Sequence, residues 1–179
     1  MQSGWNHLGS SSPYRRGKLT LPEDVWRLPD GREVVYSVLA VEVTVGVLPF
    51  VDDTDVVLVR QYRHLVRSLS WELPGGGALA GEDPMTAAQR ELREEGGYRA
   101  GRFTFLTRFY PSNAYLDEVA YCYAAHGLVH DPLPADDEFF ERRIVPFSEA
   151  VRMALDGEIE ESVSKVTILQ YVVRHTGRV

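Results

Sequence analysis

A single helical segment set among strands constrains this chain more than any other feature of its sequence. Between Asp83 and Gly96 the apolar residues Met85, Ala88 and Leu92 recur at intervals of three and four, the spacing of one helix face. Pro84 suits the first helical position, and Gly96-Gly97 stop the helix. On either side the pattern is that of strands. Leu19 to Leu28 reads as a first strand and Pro29-Asp30-Gly31 as a tight turn. Glu33 to Pro49, rich in Val and Tyr, reads as one long strand or two consecutive ones, and the polar turn Asp52-Asp53 precedes Val56 to Val59. Strands return at Phe103 to Phe109, Glu118 to Ala125 and Phe139 to Val145, and two helices follow at roughly Phe147 to Leu155 and Ile159 to Arg174.

This order predicts an α+β fold, a mixed β-sheet with helices packed on it, preceded by an antiparallel amino-terminal β region. Residues 1–14 mix Gly, Ser and Asn with little periodicity and read as a flexible leader, which leaves 15–179 as a single domain. The net charge of −7 counts against broad binding to nucleic acid or anionic membranes, which requires clustered positive charge. No apolar run approaches the roughly 18 residues that cross a bilayer, and the first twenty residues are polar, so a cytoplasmic protein is expected. The lone Cys122 lies in the apolar run Val119 to Ala125, where a thiol serves as a small hydrophobe.

The chemistry concentrates on the helix. Glu91 and Glu95 are four residues apart and Glu94 lies one turn from Glu91, so three carboxylates crowd one face beside Arg90. Like charges this close oppose one another unless a cation takes up the charge, and oxygen-only ligands select hard divalent cations such as Mg²⁺, with Mn²⁺ as a substitute. The alternative is a solvated acidic face paired with Arg90 and Arg93. What separates the two readings is the wider spacing: Gly76, five residues, Glu82, seven residues, then Arg90-Glu91-Leu92-x-Glu94-Glu95-x-Gly97.

That spacing resembles the signature box of the Nudix hydrolases at every defined polar and glycine position, with Tyr98 standing where the family usually has an aliphatic residue. The resemblance implies a Nudix-type α/β/α sandwich whose loop-helix-loop holds Mg²⁺ against a pyrophosphate. By position it assigns Glu91, Glu94, Glu95 and the carbonyl of Gly75 to the metal, with Glu94 and Glu95 also counted as catalytic. Glu82 and Arg90 correspond to an ion pair that braces the loop.

Leu58 to Arg63 and Trp71 to Gly76 are similar to the segment preceding the box in ADP-ribose pyrophosphatases and related nucleotide-sugar hydrolases. The implied reaction is hydrolysis of a nucleoside diphosphate sugar to a nucleoside monophosphate and a sugar phosphate. GDP-mannose, a UDP-sugar and coenzyme A are alternative substrates, and a nucleotide sensor without catalysis is the reading from another class. In this branch Arg63 would face the phosphates, where a planar guanidinium can grip two oxygens at once, its other role being an exposed strand-end charge; Glu72 would lie close to the metals or else be a surface residue of a strand, and Glu118 would reach substrate or metal or else open the next strand. Phe109 to Tyr115 departs from the branch, because Asn113 and Ala114 replace a proline and a glycine. The acidic stretch Asp136-Asp137-Glu138 occupies the place of the loop that supplies the catalytic base, with Asp136 or Glu138 favoured. A homodimer formed through strands at about 19–41, with Trp26 and Tyr36 either stacking on a base or buried in the core, is a further implication of the resemblance.

Overall fold

The computed structural model of the chain describes residues 4–16, 19–41, 43–134 and 141–176. Contacts divide the chain into two compact units, Met1–Glu42 with Tyr110–Glu118, and Val43–Phe109 with Val119–Val179.

The first unit is a three-stranded antiparallel sheet in the order β1-β2-β3, formed by β1 (Asn6–Arg16), β2 (Leu19–Arg27) and β3 (Glu33–Ser37). Residues 6–14, expected within a flexible leader, are therefore strand. The misreading has a physical cause. Nearly every residue of β1 is exposed, so no buried face imposes alternation, and shifts of register between His7 and Gly9 and between Ser11 and Tyr14 break what period remains. Ladder hydrogen bonds and aromatic contacts hold the strand instead: the Trp5 ring lies 6.4 Å from Trp26 and 6.2 Å from Tyr36. The expected turn at Pro29-Asp30-Gly31 closes β2 onto β3, with Gly31 N–H donating to the Leu28 carbonyl at 2.9 Å. Tyr110–Glu118 joins this unit through the Leu39–Leu116 bridge and through Asp117, whose carboxylate accepts from Val41 N–H at 2.7 Å.

The second unit begins with β4 (Val43–Pro49), β5 (Asp55–Arg63), β6 (Ser68–Glu72) and β7 (Gly75–Gly77). The helix α1 (Pro84–Glu91) runs into a wider turn over Leu92–Gly96, followed by β8 (Tyr98–Arg99), β9 (Arg102–Phe109), β10 (Val119–His126) and β11 (Val129–His130). β12 (Glu141–Pro146), α2 (Phe147–Asp156) and α3 (Ser162–Thr176) complete it. A mixed sheet in the order β7-β4-β10-β9 has its one parallel pairing between β4 and β10, and an antiparallel sheet has the order β12-β5-β6. The fold is α+β, as the order of elements predicted. Glu33 to Pro49 proves to be two strands, β3 and β4, one in each unit.

Alternation along the central strands explains the layers. Val45 and Val47 of β4 pack with Ala87, Ala88 and Leu92 of the α1 region, whereas Leu48 points to the other cluster, with Met153 of α2 and Ile168 of α3. On β10, Tyr123 and Ala125 join the α1 side while Cys122 and Ala124 pack with Leu106. The central strands β4 and β10 are thus buried on both faces, and each fully buried Leu or Val contributes about 1.5–3 kcal/mol to keeping them so. Cys122 is buried, and that burial pushes its thiol up to about 11. No described helix is long and apolar enough to cross a membrane.

Candidate active site

The site grows from the two ends of α1. At the start, Asp83 adopts an extended conformation and its carboxylate accepts from Met85 N–H at 3.1 Å, with Pro84 next in line. At the end, the backbone of Leu92–Gly96 follows the wider turn in which Gly97 N–H reaches back five residues to the Leu92 carbonyl. Such turns recur at functional sites because they redirect side chains without ending the helix. Gly97 stops the helix, as expected, with φ of +83°, a left-handed conformation that glycine adopts without steric cost.

Arg90 gathers the acidic residues. Its guanidinium donates to Glu82 through two nitrogens, at 3.1 and 2.9 Å, to Glu91 at 2.6 Å, to Glu94 at 3.0 Å, and to the Gly77 carbonyl at 2.9 Å. Its acidity falls further, chiefly because of Glu82, then of Glu91 and Glu94, with burial opposing. Glu82 in turn accepts from Leu79 N–H at 2.8 Å, and Arg90 beside it holds its carboxyl below the usual range. The expected brace between Glu82 and Arg90 is present.

Glu95 points elsewhere, accepting from Gly75 N–H at 2.7 Å. The strand β7 is built from glycines for want of room: a Cβ on Gly75 would lie 2.3 Å from the Val45 carbonyl oxygen, and one on Gly76 would lie 2.7–2.9 Å from the Glu91 carboxyl group. Glu91 and Glu95 are only 8% and 4% exposed, so the acidic face is not the solvated surface of the alternative reading. Among the described residues no three acidic, histidine or cysteine side chains converge with metal-ligand geometry, since Arg90 draws Glu91 and Glu94 one way and Gly75 draws Glu95 another. The donor set nevertheless fits a hard cation: carboxylate oxygens beside a glycine backbone that approaches them closely.

Glu72, at the end of β6, is 2% exposed and pairs in register with Val59 of β5. Arg63 grips both of its oxygens, at 2.9 and 2.5 Å, and Gln61 donates to it at 3.4 Å. The two-oxygen grip expected of Arg63 toward phosphate is thus made to a carboxylate, with the Arg63 side chain still 45% exposed. Hydrogen bonding to Glu72 raises the Arg63 pKa most, and the charges of Glu95 and Glu161 add to it. Beside this pair opens a cleft of about 700 Å³ lined by Gln61, Arg63, Glu72, Glu160 and Glu161 among others, a volume suited to a small molecule. Glu118 stands partly buried immediately before β10. Asp136, Asp137 and Glu138 lie outside the described residues.

Several residues of this region escaped the sequence reading. Arg142 of β12 donates through Nε to the Glu95 carbonyl at 2.5 Å and through a terminal nitrogen to the Glu94 carbonyl at 3.0 Å, capping the backbone that carries both carboxylates. Ser164 accepts from Leu73 N–H in the segment before β7, and Glu161 accepts from the Ser164 hydroxyl. A strand arginine and a helix-start serine carry no local signal of such contacts, and Glu161 falls inside the helix expected from Ile159, whereas α3 begins at Ser162.

Known proteins resemble the chain over most of its length. The NUDIX domain profile matches residues 40–166. The ADP-ribose pyrophosphatase of Bacillus subtilis (strain 168) is 31% identical over 153 residues, 84% of this chain and 82% of the relative. The ADP-ribose pyrophosphatase of Mycobacterium tuberculosis (strain ATCC 25618 / H37Rv) is 34% identical over 174 residues, 95% of this chain and 84% of the relative. A crystal structure of an ADP compounds hydrolase superimposes with a TM-score of 0.82 at 23% identity, over 98% of this chain and 97% of the other, and so shares the fold. With the acidic helix, its glycine strand and its Arg90 brace in the places that the sequence box requires, the chain belongs to the Nudix family.

Proposed function

We propose that this Nudix pyrophosphohydrolase cuts the pyrophosphate bond of a nucleoside diphosphate sugar, with ADP-ribose the leading substrate, releasing a nucleoside monophosphate and a sugar phosphate. The observation that carries the reading is the pair of nearly buried carboxylates, Glu91 and Glu95, held against the glycines of β7. The pyrophosphatase relatives, alike over most of the chain, favour the substrate class.

The residues divide the work. Glu91, Glu94, Glu95 and the Gly75 carbonyl would hold a divalent cation, for which Mg²⁺ is the choice and Mn²⁺ a substitute. When bound, that cation supplies positive charge to the diphosphate oxygens and aligns the attacking water. Arg90 and Glu82 keep the loop rigid, Arg142 keeps the backbone of Glu94 and Glu95 in place, and Arg63 presents its exposed edge toward the substrate phosphates while orienting Glu72. Asp136 or Glu138 accepts the proton of the attacking water, so that its oxygen can form the new bond to phosphorus as the P–O–P bridge breaks.

The protein acts as a homodimer joined through its amino-terminal strands, a reading supported by the exposed apolar residues Leu8, Tyr14, Val35 and Tyr36 of that sheet. It works in the cytoplasm, without nucleic acid or membrane as partner. The departure of Phe109 to Tyr115 from the ADP-ribose pattern keeps GDP-mannose and UDP-glucose in the test panel. Purified protein with Mg²⁺ is expected to release nucleoside monophosphate from ADP-ribose fastest. Tight nucleotide binding without turnover of any of the three would replace the hydrolase with a sensor.

A further inference from the structure

We infer that Ser164 and Glu161, at the start of α3, are positioning residues for the acidic site: a relay from Leu73 N–H to the Ser164 hydroxyl to the Glu161 carboxylate fixes the segment on which that site is built. The inference rests on the function proposed above and adds to it two residues from a different helix.

The segment Glu72-Leu73-Pro74-Gly75 joins β6 to β7 and carries both Glu72 and the Gly75 carbonyl. Proline has no amide hydrogen, so Leu73 and Gly75 are the two donors of its last three residues. Gly75 N–H goes to Glu95 at 2.7 Å, and Leu73 N–H goes to Ser164 Oγ at 2.9 Å. The segment is therefore gripped from the acidic helix at one end and from α3 at the other. Pro74 adds an acceptor between them, its carbonyl receiving Val47 N–H at 2.9 Å.

The direction of the relay follows from chemistry. Ser164 is 2% exposed and has a single hydroxyl proton. That proton goes to Glu161 Oε2 at 2.7 Å, because an ionised carboxylate only accepts, and the serine lone pairs face Leu73. Glu161 is itself locked by Val163 N–H and Ser164 N–H, both at 2.7 Å, the bonds of a helix cap. Glutamate is an unusual residue for that task, shorter side chains being preferred. Its place here has a second use, since it lines the cleft beside Arg63. Loss of the relay releases one end of the segment, and the error passes to Gly75 and Glu95, where the cation would sit.

The test compares wild type with Ser164→Ala, Ser164→Thr and Glu161→Gln, each first shown to be folded by circular dichroism. Free Mn²⁺ is titrated and followed by electron paramagnetic resonance without substrate, and exchange of the Leu73 amide is followed by NMR. Ser164→Ala and Glu161→Gln are expected to bind Mn²⁺ about tenfold more weakly and to exchange Leu73 faster. Under ADP-ribose turnover their kcat falls about tenfold, while KM changes little. Ser164→Thr, which keeps the hydroxyl, is expected to restore both readouts. Wild-type Mn²⁺ affinity in both Ser164→Ala and Glu161→Gln, or losses that only follow the folded fraction, would overturn the inference. A wild-type protein that binds Mn²⁺ but does not cut ADP-ribose sinks the substrate reading alone; one that binds no Mn²⁺ sinks both.

Discussion

The amino-terminal sheet and the acidic helix are held together by different means. In β1 nearly every residue is exposed, and the strand depends on its ladder and on a few ring contacts around Trp5 and Trp26. Around α1 most residue types are fixed by space or charge: Gly75 and Gly76 by lack of room, Glu82 and Arg90 by their pairing, Leu92 by full burial. A substitution in the first region should be felt in what the sheet associates with, and one in the second in chemistry.

The sharpest way to break this contrast is Glu95→Gln, which keeps volume and one acceptor but removes the charge. Turnover of ADP-ribose should fall about 100-fold or more, with little change in thermal unfolding. Wild-type rates in that variant would mean that the buried acid is packing and not machinery. Next come Asp136→Asn and Glu138→Gln, at least one of which is expected to slow hydrolysis about 100-fold, measured as single-site variants under saturating Mg²⁺. Normal rates in both would move the base to another residue.

Val35→Glu probes the other side of the comparison. Val35 is exposed on β3, so a carboxylate there costs the isolated sheet little but places like charges together wherever two copies meet. Sedimentation should shift from dimer toward monomer with the unfolding midpoint nearly unchanged, and a wild type that sediments as a monomer would remove the dimer from the function proposed above. The smallest effect concerns acid. Because Arg90 depresses the Glu82 carboxyl, the brace contributes fully above the ordinary value of 4.5 and is lost as pH falls through the lower folded value. Glu82→Gln should therefore reduce stability at pH 7 and converge with wild type in strong acid; an equal gap at both ends would assign the loss to shape and not to charge.

The same contrast decides what could be read from the sequence. The spacing of Gly76, Glu82, Arg90 and Gly97 was legible because each position answers to a local demand, and the structure places Glu82 and Arg90 in the expected pair. Two short strands, β6 and β7, were less legible, since Gly75–Gly77 looks like loop until Val45 is seen against it. Arg63 was singled out for a grip on phosphate or as a strand-end charge, and the structure shows it gripping Glu72, a carboxylate nine residues away whose direction the sequence does not tell. Arg142 and Ser164 were invisible because their partners, the Glu95 carbonyl and Leu73 N–H, are backbone groups 47 and 91 residues distant. Long-range bonds to backbone leave no pattern in side-chain types.

Cys122 has a practical consequence. The chain's one thiol is shielded between β10 and its neighbours, with ionisation deferred to about 11, so maleimides and spin-label reagents near neutral pH meet almost no thiolate. The native protein is thus already a silent background for labelling. A cysteine introduced at exposed Tyr62 or Leu69 could carry a reporter at the rim of the cleft without first removing another.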